Sequence, residues 1–224
     1  MKYLYIDTSS SYLYSAIVED DNILSSVIED FGQSLSEVAL PKIVELFENN
    51  NLKPSDIDKI IVVNGPGSFT GIRIGITIAK VYAWSLNIPI TTITSLEAMS
   101  LSSNKKCVHI PIINARRGYV FGAIYDEENN ELLKPQHIKL SDLLITARKY
   151  SDYEIISNDE FDDIEPTKYQ PKFSVIVNKI KDKNIMNPHL VNPEYLKLTE
   201  AEENKNDKRT WNRRTKWIWN EHYW

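Results

Sequence analysis

The sequence predicts an α/β fold in which mixed sheets carry helices on their faces and the chain divides into two lobes. Three observations carry this. Residues 2–28 hold three short β-rich runs, residues 34–99 alternate helical and strand patterns, and a second series of strand-like runs begins at His109, after a polar stretch over Asn104–Lys106. A meander followed by alternating helices and strands is the ribonuclease H-like layout. Its recurrence divides the chain into a first lobe over 1–105, a smaller second lobe over 106–204 and a tail over 205–224.

The first three runs, Lys2–Ile6, Tyr12–Val18 and Ile23–Ile28, are rich in β-branched and aromatic residues, and DTSSS and EDDN between them have turn compositions. Asp7 closes the first run. Its carboxylate either holds a metal or a phosphate-bound water, or hydrogen-bonds the backbone of its own turn. Ser34 and Glu37 then have capping-box spacing and open a helix to about Asn49, with Pro41 expected to kink it. At about 100° per residue, Leu35, Val38, Ala39, Leu40, Ile43, Val44, Leu46 and Phe47 cover roughly two-thirds of its circumference. One core contact needs less. A second surface, inside the fold or on a partner, is implied.

Ile60–Leu86 reads as an apolar strand, a glycine-rich turn and a helix entered after Gly71, and it holds four of the seven glycines, Gly65, Gly67, Gly71 and Gly75. Such a junction aims free N–H groups at whatever lies in front of it. An anion cradle is one outcome, and a tight turn before a closely packed helix is the other. No Lys follows the glycines as in a P-loop, and Thr70 stands where a dinucleotide fingerprint needs glycine. From Ile72 to Leu86 apolar residues surround the helix, the mark of a buried one, and Gly75, Ala79 and Ala83 form a smooth strip for a second helix or the sheet.

Beyond it, Ile88–Thr94 is a strand and Ser95 starts a short helix. His109–Asn114, Tyr119–Tyr125, Leu132–Ile138 and Tyr153–Ser157 are further strands, with helices near Ser141–Lys149 and Phe173–Lys181. The turn Ala115–Gly118 puts Arg116 and Arg117 at a strand end, where they either grip phosphate or a carboxylate or stay solvated. A cleft between lobes would let Asp7, Gly65, Gly67 and Arg116 face one another around a nucleotide.

One cysteine, Cys107, rules out an intramolecular disulfide, and a start without signal-peptide layout and the lack of a long apolar run give a cytoplasmic expectation. Residues 205–224 carry six Lys/Arg against Asp207 and Glu221, so the formal −5 of the chain divides into +4 for the tail and −9 for the rest. The acidic body is a poor nucleic-acid binder by itself. The four histidines show no paired metal spacing, and no nucleophile motif is present.

IDTS at 6–9, GPGSFTGIRIG at 65–75, TSLEAM at 94–99, NARRG at 114–118 and PEYLKLTEAE at 193–202 together resemble the bacterial TsaB (YeaZ) family. The resemblance implies an actin-like, two-lobed ATPase fold and a part in making threonylcarbamoyladenosine beside the anticodon of tRNAs. It implies a non-catalytic subunit that forms a heterodimer with a TsaD-type catalytic subunit, works with a TsaE-type ATPase, and has a homodimer as the alternative when alone. No intrinsic cofactor is implied, with ATP or ADP expected at a complex interface. The His-Leu-Glu-Gly-His metal motif of TsaD falls on Ser95, Leu96, Glu97, Ala98 and Met99, so both imidazoles are missing. Leu35, Val38, Ala39, Ile43, Phe47, Gly75, Ala79 and Ala83 become the expected partner interface.

The chain departs from the family at Asn114, where members have Asp, and at Leu35, where they have His. An independent ATP-dependent small-molecule kinase of the same fold is the competing function, with a metallopeptidase third. The tail over 205–224 holds four of the five tryptophans, a composition suited either to tRNA contact or to docking on the acidic body.

Overall fold

A strand covered by helices on one face only alternates apolar with polar residues; one covered on both reads as a continuous apolar run. β1 (Lys2–Asp7) is of the second kind, with Leu4 and Ile6 buried on one face and Tyr3 and Tyr5 on the other. It sits centrally in a five-stranded sheet of order β3-β2-β1-β4-β5. β2 (Tyr12–Glu19) pairs antiparallel with β1 and β3 (Asn22–Asp30) antiparallel with β2; β4 (Lys59–Val63) and β5 (Ile90–Ile93) are parallel to β1. β3, at the edge, is mostly exposed.

A computed structural model describes residues 1–197, so the basic tail over 205–224 lies outside the described residues. Met1–Glu194 form one unit with a second sheet of order β8-β7-β6-β9. There β6 (Val108–Asn114) pairs antiparallel with β7 (Tyr119–Tyr125) and parallel with β9 (Tyr153–Ile156), and β8 (Glu131–Lys139) is the antiparallel edge. The pattern repeats that of β3-β2-β1-β4.

Helices fill the faces. α1 (Leu35–Glu48) and α2 (Phe69–Leu86) cover one face of the first sheet; α3 (Ser95–Leu101) and α5 (Phe173–Ile180) lie between its other face and Ala123, Tyr125 and Ile156 of the second sheet; α4 (Leu140–Ala147) covers the far side of that sheet. None of the described helices is long and apolar enough to cross a membrane.

Three local expectations change. Ser34 does not cap α1 through its side chain: the chain enters through a 3₁₀ turn over Gly32–Ser34, leaving Ser34 in helical geometry, whereas a capping residue needs an extended backbone. α2 begins at Phe69 rather than after Gly71, because Ser68 is extended and its hydroxyl accepts the Gly71 N–H at 3.2 Å. Nor is α2 buried all round, since Phe69, Arg73, Thr77, Val81 and Trp84 are exposed at helical spacing.

What holds α2 against β1 is an approach too close for side chains. A Cβ on Gly67 would overlap the Ser9 carbonyl oxygen, one on Gly71 the Thr8 carbonyl oxygen, and one on Gly75 the Thr8 hydroxyl. Gly67 also has φ +152°, which L side chains rarely adopt. Hydrogen bonds use the space so gained: the Ser68 N–H donates to Ser9 O at 2.7 Å and the Thr8 hydroxyl to Gly71 O at 2.7 Å. In an open helix Gly→Ala would stabilise by about 1 kcal/mol. Gly71→Ala should instead destabilise by about 3 kcal/mol through overpacking against rigid backbone, measured by urea unfolding; a neutral or stabilising result would show that the two elements part at no cost.

Candidate functional site

Asp7, Ser95 and Met99 meet in a cleft of about 460 Å³, where the C-terminal end of β1, the glycine turn and α3 face β6, β7 and the segment after β9. Asp7 is 2% exposed, and its Oδ1 accepts the Ser9 N–H at 2.8 Å, so the carboxylate organises its own turn. Burial pushes its carboxyl up to about 6, against the hydrogen bond from Ser9 that favours the charged form. One wall is aromatic. Tyr12 stacks on Tyr14 with ring centroids 5.3 Å apart, Tyr169 meets Tyr14 edge-on at 5.2 Å, and the Tyr14 hydroxyl accepts Asn158 Nδ2–H at 2.7 Å.

Charge in the cleft has one sign. Asp7, Asp30 and Asp159 line it, and among the described lining residues there is no Lys, Arg or His. Of the four residues expected to cradle a nucleotide, Asp7 and Gly67 reach the cleft. Gly65 is packed against the Glu194 carbonyl, and Arg116 is exposed outside the lining. The ARRG turn is wound left-handed, with φ +66° at Arg116 and +54° at Arg117, and Asn114 supports it by accepting the Arg116 N–H at 2.8 Å. The Ser95 hydroxyl is committed to Pro66 O at 2.5 Å, and Met99 packs in the central core. Among the described residues no group of three His, Cys, Asp or Glu could hold a metal.

The second surface is the outer face of α1 and α2, and most of the residues expected at a partner interface lie beneath it. Leu35, Ala39, Ile43, Phe47, Gly75, Ala79 and Ala83 are buried, while Val38 is half-buried. Ile43, Phe47, Ala79 and Ala83 pack with the sheet residues Leu4, Ile6, Ile60 and Val62, and Leu35 and Ala39 pack with Leu13. The wide apolar arc of α1 thus serves two contacts inside the fold. What remains outside is Leu40 (46% exposed), Val44, Phe69, Val81 (56%) and Trp84 (66%). A groove of about 500 Å³ runs between Leu40, Phe69, Ile74 and Ile78, with the Arg73 guanidinium 3.7 Å from the Phe69 ring centre. Apolar counting could not find this face. The polar residues Thr70, Arg73 and Thr77 at its spacing are the sequence mark that α2 has an outer side.

Known proteins were compared with the chain. A family model described as TsaD, tRNA N6-adenosine threonylcarbamoyltransferase, matches residues 27–204. The tRNA threonylcarbamoyladenosine biosynthesis protein TsaB of Bacillus subtilis (strain 168) is 33% identical over 221 residues, covering 90% of this chain and 96% of that protein. TsaB of Escherichia coli (strain K12) is 29% identical over 58% of this chain and 57% of its own length. Among solved structures, YeaZ from Pseudomonas aeruginosa superposes with a TM-score of 0.70 at 18% identity, over 87% of this chain and 99% of that one. At that identity the superposition speaks for the fold.

The Asp7 shift has a defined sign. A carboxyl whose folded-state pKa lies above its unfolded value binds its proton more tightly when folded, so its cost is absent below 3.8 and complete above about 6. Asp7→Asn keeps an acceptor for the Ser9 N–H and removes that cost. It should stabilise the fold by at most about 3 kcal/mol at pH 7.5 and leave it unchanged near pH 3.5; equilibrium unfolding at both pH values tests this, and a destabilised variant at pH 7.5 would mean that the charge itself is needed.

Proposed function

The chain belongs to the TsaB family of tRNA threonylcarbamoyladenosine biosynthesis proteins, and we propose that it acts as the non-catalytic subunit that binds and supports a TsaD-type catalytic subunit during threonylcarbamoyl transfer to the adenosine beside the tRNA anticodon. The observation that carries the pairing is the outer face of α1 and α2, where Leu40, Val44, Phe69, Val81 and Trp84 leave a large apolar area in water. Two helices side by side present it, and ridges of exposed side chains on such a pair suit packing against helices of a partner.

The non-catalytic role is supported by chemistry in the cleft. Where the resemblance puts two imidazoles stand Ser95, bonded to backbone, and Met99, within the core; a hydroxyl and a thioether are poor ligands for a hard or borderline divalent metal. The three carboxylates support placing any ATP or ADP of the assembled complex elsewhere than in this cleft, since a polyphosphate would meet like charge. For the tail over 205–224, which begins at the last residues matched by the family model, six Lys/Arg and four Trp support contact with tRNA.

The exposed and buried residues of the same helices give opposite expectations. Leu40→Glu and Trp84→Glu should retain the wild-type circular dichroism and bind the TsaD-type subunit at least about tenfold more weakly. Ala39→Glu and Ala79→Glu should fail to fold, because each buries an unpaired charge. Calorimetric titration of the folded variants decides it, and wild-type affinity in both exposed variants would dismiss this face. Deleting residues 205–224 should weaken tRNA binding by the assembled complex and flatten its salt dependence; unchanged affinity and slope would remove the tail from RNA contact.

A further inference from the structure

We propose that a second cavity, beside the C-terminal end of α3, binds the phosphate group of a ligand whose phosphate is joined to a ring. The cavity measures about 440 Å³ and is separated from the acidic cleft by Met99 and Tyr169, which line both. The size suits a mononucleotide. Its charge is opposite to that of the cleft: Lys105, Lys168 and Lys172 line it, against Glu154 alone. For a chain whose first 204 residues carry a formal −9, three lysines lining one recess are a local concentration of positive charge.

The three ammonium groups are not equivalent. Lys105 is matched by Glu154, Nζ to Oε1 at 3.2 Å. Glu154, 5% exposed, also accepts the Thr167 hydroxyl at 2.8 Å and the Ser103 hydroxyl at 2.5 Å, tying together the two loops that frame the recess. Lys172 and Lys168 are instead held by carbonyls: Lys172 Nζ donates to Ser103 O at 2.6 Å and Lys168 Nζ to Asn158 O at 3.3 Å. A carbonyl positions an ammonium without neutralising it. Each of these two retains N–H donors beyond the one so used, and among the described residues no carboxylate forms a salt bridge with either. Tyr169, Met99, Ile156 and Pro171 supply an apolar wall for the ring, and Asn104 and Gln170 supply amides. Fixed cations on one side of an apolar wall are what an organic phosphate requires.

Free nucleotide and the backbone of RNA share this chemistry. The inference does not rest on the TsaB reading, and its test needs no partner subunit. The full chain is titrated at low salt with adenosine 5′-monophosphate, with adenosine and with a short oligoribonucleotide, by calorimetry and by the NMR shifts of the Met99 methyl. We expect a phosphate ligand to bind and to move Met99, and adenosine to bind at least tenfold more weakly. Lys168→Gln/Lys172→Gln, which keeps a donor for each carbonyl, should weaken phosphate binding at least tenfold. Arg116→Gln/Arg117→Gln, which removes two charges outside the cavity, should not. Binding of the monophosphate assigns free nucleotide as the source; variant-sensitive binding of the oligomer alone assigns RNA backbone. Failure of both to bind, or equal binding to the lysine variant and wild type, overturns the proposal.

Discussion

The fold depends on one close approach. The glycine turn and the first turns of α2 lie against Thr8 and Ser9 with no room for a Cβ at residues 67, 71 or 75, where the carbonyls of Ser9 and Thr8 and the Thr8 hydroxyl occupy the space. The contact joins the end of the central strand to the longest helix. It also fixes α3, whose Ser95 N–H donates to Gly65 O at 2.9 Å and whose Ser95 hydroxyl donates to Pro66 O. A strand end, a helix start and a second helix start therefore converge on residues 65–71. In other proteins a junction of this kind leaves N–H groups free for phosphate; here the Ser68 N–H is taken by Ser9 O and the Gly71 N–H by Ser68 Oγ. Those two N–H groups serve the turn itself.

That geometry divides the surface by chemistry. With α2 pinned on its inner side by Gly75, Ala79 and Ala83, the opposite side must face outward, and Val81 and Trp84 follow from helical spacing, while Phe69 is exposed in the first turn. Pinning the turn likewise places Asp7 in the lining of the cleft, together with Asp159. An apolar outer face suits protein association, an acidic cleft disfavours polyphosphates, and a basic recess behind Met99 and Tyr169 has the charge the cleft lacks.

Most of the elements were legible in the sequence because their signals are local. Alternation and β-branched composition give β1, β2, β6 and β7 nearly to the residue, and the all-apolar runs at Leu4–Ile6 and Ile60–Val63 reflect strands covered on both faces. Two kinds of information were not local. The capping box at Ser34 failed because the preceding 3₁₀ turn, not the capping residue type, set the backbone entering α1. The surroundings of the residues expected at a partner interface were not legible either, because an apolar arc records how much of a helix is buried but not in what. Ala39 and Ala79 lie in the protein's own core, and the exposed apolar side chains of the two helices are larger ones set between polar residues. The cavity lysines had no sequence signal: Lys105 and Lys172 are 67 positions apart and meet only through the packing of α3 on the segment before α5.

Asp7 shows how far a structural role accounts for a residue. Its Oδ1 forms the turn that presents Ser9 O to Ser68, but an asparagine would accept the same N–H without the cost of burying a charge. Turn formation explains a polar residue at this position and does not explain a carboxylate. The charge acts on the cleft instead. With Asp30 and Asp159 it gives the cavity one sign throughout its described lining, and in a recess partly screened from water that field acts on an anion over several ångströms. A single buried carboxylate, costly to the isolated fold, thereby contributes to the negative field of the cleft.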